Sequence, residues 1–188
     1  MFRRLLTACA LSAVVFAQEP SQPTPEQRAQ LAEVKRITVK GTRLPALSVV
    51  RVMGVQAGDR VNDASVNAAC HRLQSTGLIK SVDYQYLLFA DKPGVELALT
   101  IVDEPHLVPA SIEPKQDSDA LWTALKSVDP MFTDTLPPNE RAISFYARNF
   151  DACLKRMGRA DEYVAPKLLG NPGEEPAGVV FQIKKYKN

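Results

Sequence analysis

Histidine occurs only twice in the 188 residues, cysteine three times and tryptophan once, and these shortages narrow the function classes before any pattern is read. His71 and His106 have no spacing that would set two ligands on one helical face, so no metal site is expected. The nine glycines form no phosphate-cradling loop, and no serine, histidine and acid arrangement stands out. Asp103-Glu104 reads as a strand end and not as an acid and base pair. No cofactor is therefore expected, and the chain is not read as an enzyme. Apolar runs of the roughly 20 residues that a membrane-crossing helix needs are missing too. Charge of one sign is lacking: without Arg3 and Arg4, 21 basic residues face 21 acidic ones, and nothing suggests a nucleic-acid partner.

What is present begins with an export signal. Arg3 and Arg4 precede an apolar run from Leu5 to Phe16, which Gln18, Glu19 and Pro20 end abruptly. Residues 1–17 are read as a signal peptide cut after Ala17. An uncleaved anchor is the alternative. Leu6-Thr7-Ala8-Cys9 also fits a lipoprotein signal, but Cys9 falls inside the apolar run. Residues 18–33 are rich in Pro, Gln, Glu, Ser and Thr, bury too little to offset their ordering entropy, and are read as a flexible linker.

The rest divides into two units, 34–105 and 106–188, with the same order of elements. In the first, Val34, Ile37 and Val39 predict a strand that ends at Gly41, and Ser48 to Met53 a short helix. After the Gly58-Asp59 turn, Asn62 or Asp63 caps a longer helix whose Val66, Ala69, Cys70 and Leu73 share one face, with Gly77 at its end. The period then becomes alternating. Val82, Tyr84 and Tyr86 predict one strand, and Val95, Leu97, Leu99 and Ile101 its hairpin partner. The second unit repeats this when Gly158 is laid on Gly77, which matches Leu154 with Leu73 and Phe150 with Ala69. Its elements are a strand over 107–112, helices over 120–128 and 139–157, a strand over 163–168, and a last strand of Val179, Phe181 and Ile183.

Several stretches carry a family resemblance: Ile37-Thr38-Val39-Lys40-Gly41, Gly58-Asp59, the run Leu73-Gln74-Ser75-Thr76-Gly77-Leu78-Ile79-Lys80-Ser81-Val82, and Val102-Asp103-Glu104-Pro105. These resemble the polypeptide-transport-associated (POTRA) domains that stand before outer-membrane β-barrels. The second unit departs from the pattern, lacking a glycine after Ile112-Glu113-Pro114-Lys115 and placing Asp129-Pro130 where the first has its glycine turn. The resemblance implies an α+β fold of two tandem βααββ domains, each a three-stranded mixed sheet covered on one face by two helices. It also implies a periplasmic protein associated with the outer membrane, and the family's barrel is not expected in this chain, because too few residues follow the second unit.

In such a fold the first strand of each hairpin lies at a sheet edge, where unpaired backbone groups accept a strand from another protein. The expected docking edge is Val82, Asp83, Tyr84, Gln85 and Tyr86, with a second candidate at Tyr163, Val164, Ala165 and Lys167. The expected partners are extended outer-membrane protein clients, or a separate barrel or envelope protein. The competing expectation is a fixed subunit of an envelope complex that binds one partner through side-chain patches. Cys70 and Cys153 are read as buried thiols, with a disulfide between them left open. Lys184, Lys185 and Lys187 read as a solvated basic tail.

Overall fold

The computed structural model describes residues 32–91, 93–171 and 173–186. The segment around Ala17, most of the 18–33 stretch and Lys187 lie outside the described residues. The first unit comprises β1 (Ala32–Lys40), α1 (Ala46–Met53), β2 (Arg60–Val61), α2 (Asp63–Gln74), β3 (Ile79–Leu88) and β4 (Val95–Asp103). The second comprises β5 (Val108–Glu113), a 3-10 turn (Lys115–Asp117), α3 (Ser118–Val128), β6 (Thr135–Leu136), α4 (Glu140–Arg156), β7 (Glu162–Leu169) and β8 (Gly178–Lys185). Ala32 and Glu33, placed in the linker by composition, already belong to β1.

Both units are α+β and share one topology. The strand orders are β2-β1-β4-β3 and β6-β5-β8-β7. β1 runs parallel to β4 and β5 to β8, while each hairpin is antiparallel, so both sheets are mixed. Each sheet has four strands and not the expected three. The additions, β2 and β6, are two residues long, too short to show an alternating pattern in sequence. Lys184 and Lys185, read as a tail, are the exposed end of β8.

Local signals set the helices. Asn62 caps α2 by accepting from the Ser65 N–H at 3.0 Å, and Ser65 returns the contact to the Asn62 N–H at 2.9 Å. This reciprocal pair satisfies two donors that the first turn leaves free. α2 buries Val66, Ala69, Cys70 and Leu73 against its sheet, and the apolar residues of β3 and β4 meet them. At roughly 1.5–3 kcal/mol per fully buried large side chain, this face holds the helix. The second core is built from rings. Tyr146 and Phe150 of α4 meet Phe181 of β8 at 6.2 and 5.1 Å between centroids, and Trp122 of α3 closes on Phe150 at 5.1 Å.

The matched glycines have the same backbone shape but different surroundings. Gly77 (φ 71°) and Gly158 (φ 81°) both follow a helix, in the left-handed region that side chains disfavour. A Cβ on Gly158 would meet open space, whereas one on Gly77 would strike the Ala142 backbone nitrogen at the start of α4. Gly77 is therefore needed twice over, for its φ and for contact with the second unit. Gly158→Ala is expected to cost about 1 kcal/mol, the conformational term alone, and Gly77→Ala roughly 3 kcal/mol or more. Urea unfolding of both variants checks this, and equal losses would contradict it.

Cys70 and Cys153 are both buried and free. Burial, reinforced by the Asp83 charge, pushes the Cys70 thiol up to about 11 from an ordinary 9.0. Burial likewise raises Cys153, Tyr86 and Tyr146. Once unfolded, these groups release protons at lower pH, so in alkali the folded state holds more protons and stability falls as pH rises. Unfolding free energy is expected to decline from about pH 9 toward pH 11, and native Cys70 to resist alkylation at pH 8 until urea unfolds the chain. A flat profile over that window would contradict the assignment.

Candidate functional site

β3 is the last strand of its sheet, with β4 on one side and no strand on the other among the described residues. The register is Val82 opposite Ile101, Asp83 opposite Thr100, Tyr84 opposite Leu99, Gln85 opposite Ala98 and Tyr86 opposite Leu97. Two observations fix which backbone groups point outward. The Glu104 N–H donates to the Leu78 carbonyl at 3.1 Å, and the Ile101 carbonyl faces the other way, against Gly41 after β1. Backbone direction alternates along an antiparallel strand. Ser81, Asp83, Gln85 and Leu87 therefore bond to β4, and Val82, Tyr84, Tyr86 and Leu88 form the outward row.

Side chains on β3 divide differently. Val82, Tyr84 and Tyr86 lie on the helix-covered face, with Tyr86 buried and the other two packed at the core's margin. The rings of Tyr84 and Tyr86 meet edge to face at 5.6 Å. Asp83 and Gln85 are exposed on the opposite face. Core packing thus holds these side chains in place, and no strand among the described residues pairs with the outer backbone row. A register shift between Ile79 and Ser81 marks a bulge at one end of this edge.

β7 is the corresponding edge of the second sheet, and its chemistry is not the same. The Tyr186 N–H donates to the Asp161 carbonyl at 2.9 Å, so by alternation Tyr163, Ala165 and Lys167 bond to β8. Glu162, Val164, Pro166 and Leu168 face outward. The Glu162 N–H reaches the Arg159 carbonyl at 3.2 Å and the Val164 N–H reaches Asp151 Oδ1 of α4 at 2.7 Å. Pro166 has no N–H. Of the expected residues here, Val164 is core, Tyr163 meets the Tyr186 ring in a tilted contact at 4.9 Å, and Lys167 is exposed.

The joint between the units carries residues that the sequence did not single out. Asp129 is only 4% exposed. Its Oδ2 takes a hydrogen bond from Arg51 Nη1 at 2.7 Å, and its Oδ1 accepts from the Ser48 hydroxyl and, at 3.0 Å, from the Met131 N–H. Ser48 and Arg51 belong to α1, so this carboxylate ties the second unit to a helix of the first. Asn139 makes a second tie: its Oδ1 caps α4 through the Ala142 N–H, and its Nδ2 donates to the Gly77 carbonyl, each at 2.9 Å. A 270 Å³ cleft lined by Arg43, Leu78, Met131 and Tyr146 lies along the same joint. Asp103 and Glu104, read as a strand end, hold the turn after β1. The Thr42 hydroxyl donates to Asp103 at 2.6 Å and Arg43 Nη2 to the Glu104 carbonyl at 3.1 Å.

Among the described residues, no group of three His, Cys, Asp or Glu side chains converges, and no helix is long and apolar enough to cross a membrane.

No protein-family model and no curated protein matches the chain. Among solved structures it is similar to the N-terminal domain of Omp85 from Thermosynechococcus elongatus, at 16% identity and TM-score 0.39 over 81% of this chain and 62% of that one. It is similar also to POTRA1-2 of the periplasmic domain of Omp85 from Anabaena, at 15% identity and TM-score 0.39 over 89% and 99% of the two chains. POTRA3-5 of Haemophilus influenzae BamA gives 14% identity and TM-score 0.37 over 81% and 65%. The chain spans less than two thirds of the length of the first and third of these.

Replacing Asp129 with alanine strands the buried Ser48 hydroxyl and removes the acceptor that orders Met131, at a cost of about 2 kcal/mol. Spin labels on the two units are expected to show a broadened distance distribution in Asp129→Ala and a narrow one in the parent. An equally narrow distribution in both would show that the joint does not depend on this carboxylate.

Proposed function

We propose that the chain is a non-enzymatic periplasmic protein-binding module, acting in outer-membrane protein assembly or transport by docking extended polypeptide on the β3 edge. The observation that carries this is the outward backbone row of a ten-residue terminal strand on which Val82, Tyr84 and Tyr86 turn their side chains to the core. Such an edge binds through main-chain bonds that depend little on the client's sequence, as handling varied unfolded proteins requires. The POTRA-like stretches around Gly41, Gly77 and Asp103 support the reading, because they lie at the turns after β1 and α2 and at the end of β4, which flank the sheet that has β3 as its edge.

A fixed-subunit reading draws on the joint instead. Two units tied through Asp129 and Asn139 present a set arrangement of surfaces, which suits one partner of defined shape. The two readings separate by client range. Broad, weak binding of extended segments favours docking, and one tight partner with no affinity for unfolded chains favours the fixed subunit.

The test is a proline on the outward row. Proline at Asp83 or Gln85 would remove bonds to β4, whereas Val82→Pro removes only an outward donor and should leave the sheet paired. Val82→Pro is expected to weaken binding of an extended peptide of alternating apolar and polar residues about five- to tenfold, the equivalent of roughly one backbone hydrogen bond. A photoreactive residue at Asp83 in the otherwise native chain should crosslink that peptide. Undiminished binding by a folded Val82→Pro protein, or no crosslink from Asp83, would overturn the proposal.

A further inference from the structure

β7 occupies the same place in its sheet as β3, and by topology alone the molecule would offer two docking edges. Its outward row is nonetheless interrupted at three successive positions. Glu162 is bonded into the turn before the strand, Val164 donates to the Asp151 carboxylate, and Pro166 has no hydrogen to donate. An incoming strand needs alternate donors and acceptors in sequence, and a gap of this kind removes that register. Asp151 also sets a carboxylate beside the edge, so a client's carbonyl oxygens would approach a negative charge where they require an N–H.

We infer that Asp151 and Pro166 are edge guards: they close β7 against strand addition, so that the tandem takes extended polypeptide at one edge only. Asp151 projects from α4, the helix that also carries the Asn139 tie to the first unit, and so the guard and the joint share one rigid element. The inference rests on the docking reading for its partner class, but closure of β7 is a property of the second unit alone.

The experiment measures peptide stoichiometry by calorimetry, using the extended peptide described for β3, on the full chain and on an Asp151→Ala, Pro166→Val double variant. The expected result is one peptide per parent chain and two per variant. Asp151→Asn with Pro166→Val keeps an acceptor oxygen for the Val164 N–H and is expected to gain less than the alanine pair. Peptide bound by the double variant but not by the parent would sink the β3 reading while upholding the guards. Two peptides per parent chain, or a folded double variant with no added binding, would overturn the guards. Should the double variant fail to fold, a photoreactive residue at Lys167 of the native chain decides. Crosslinks to peptide from that position contradict closure, and their absence beside productive crosslinks from Asp83 supports it.

Discussion

Asp129 brings a carboxylate into a place that is 96% shielded from water, where an unpaired charge would not be tolerated. What makes it stable is the completeness of its surroundings: a hydroxyl from α1, a backbone N–H two residues on, and an arginine whose far side stays in solvent. The arginine comes from the first unit, and so does the hydroxyl. The second unit thus satisfies its buried charge only when the first is in place. Surface ion pairs contribute little because water competes for both ends, but here one end has lost its water and the geometry is committed. Gly77 extends the same dependence. It brings the turn after α2 against the backbone of α4, near enough that no side chain fits, and Asn139 then uses one amide to cap its own helix and to hold that turn. Position and orientation of the two sheets follow from these contacts.

Much of the architecture was legible because repetition and periodicity are strong signals. The alternation of β3 and β4, the apolar face of α2 and the alignment of Gly158 with Gly77 each specify an element by pattern, and the observed bounds differ from the expected ones by a few residues. What stayed hidden has a common cause. β2 and β6 are too short for a period. Asp129 looked like a weak copy of a turn because its partners lie about 80 residues away in sequence, in α1. Asp151 sits on a helix whose apolar stripe explains its neighbours, and nothing local says that its carboxylate reaches β7. Pro166 was the one visible clue, since proline in a strand interior is confined to edges and marks the side that does not pair.

The assignment of faces illustrates a further limit. Sequence alternation separates the side chains of β3 into a covered set and an exposed set, and it is natural to place binding on the exposed residues Asp83 and Gln85. Backbone donors alternate in the plane of the sheet, at right angles to that division. The residues that direct their backbone outward are Val82, Tyr84 and Tyr86, whose side chains serve the core. Strand addition as proposed for this edge would therefore use the backbone of residues that look purely structural.

That both hairpins end in an edge follows from the strand order that the two sheets share. β4 and β8 lie beside β1 and β5 as parallel partners, and a strand flanked on one side by its parallel partner accepts its hairpin neighbour only on the other. β3 and β7 are thereby left outermost in both sheets. Edges of this length invite pairing with any extended chain, the molecule's own copies included, so each has to be either used or blocked. The bulge at the start of β3 limits that edge without removing its row, whereas three successive outward positions of β7 are taken by a turn, a carboxylate and a proline. On the proposed reading, two units with one topology take opposite solutions to the same edge, and the difference lies in a few residues such as Asp151 and Pro166.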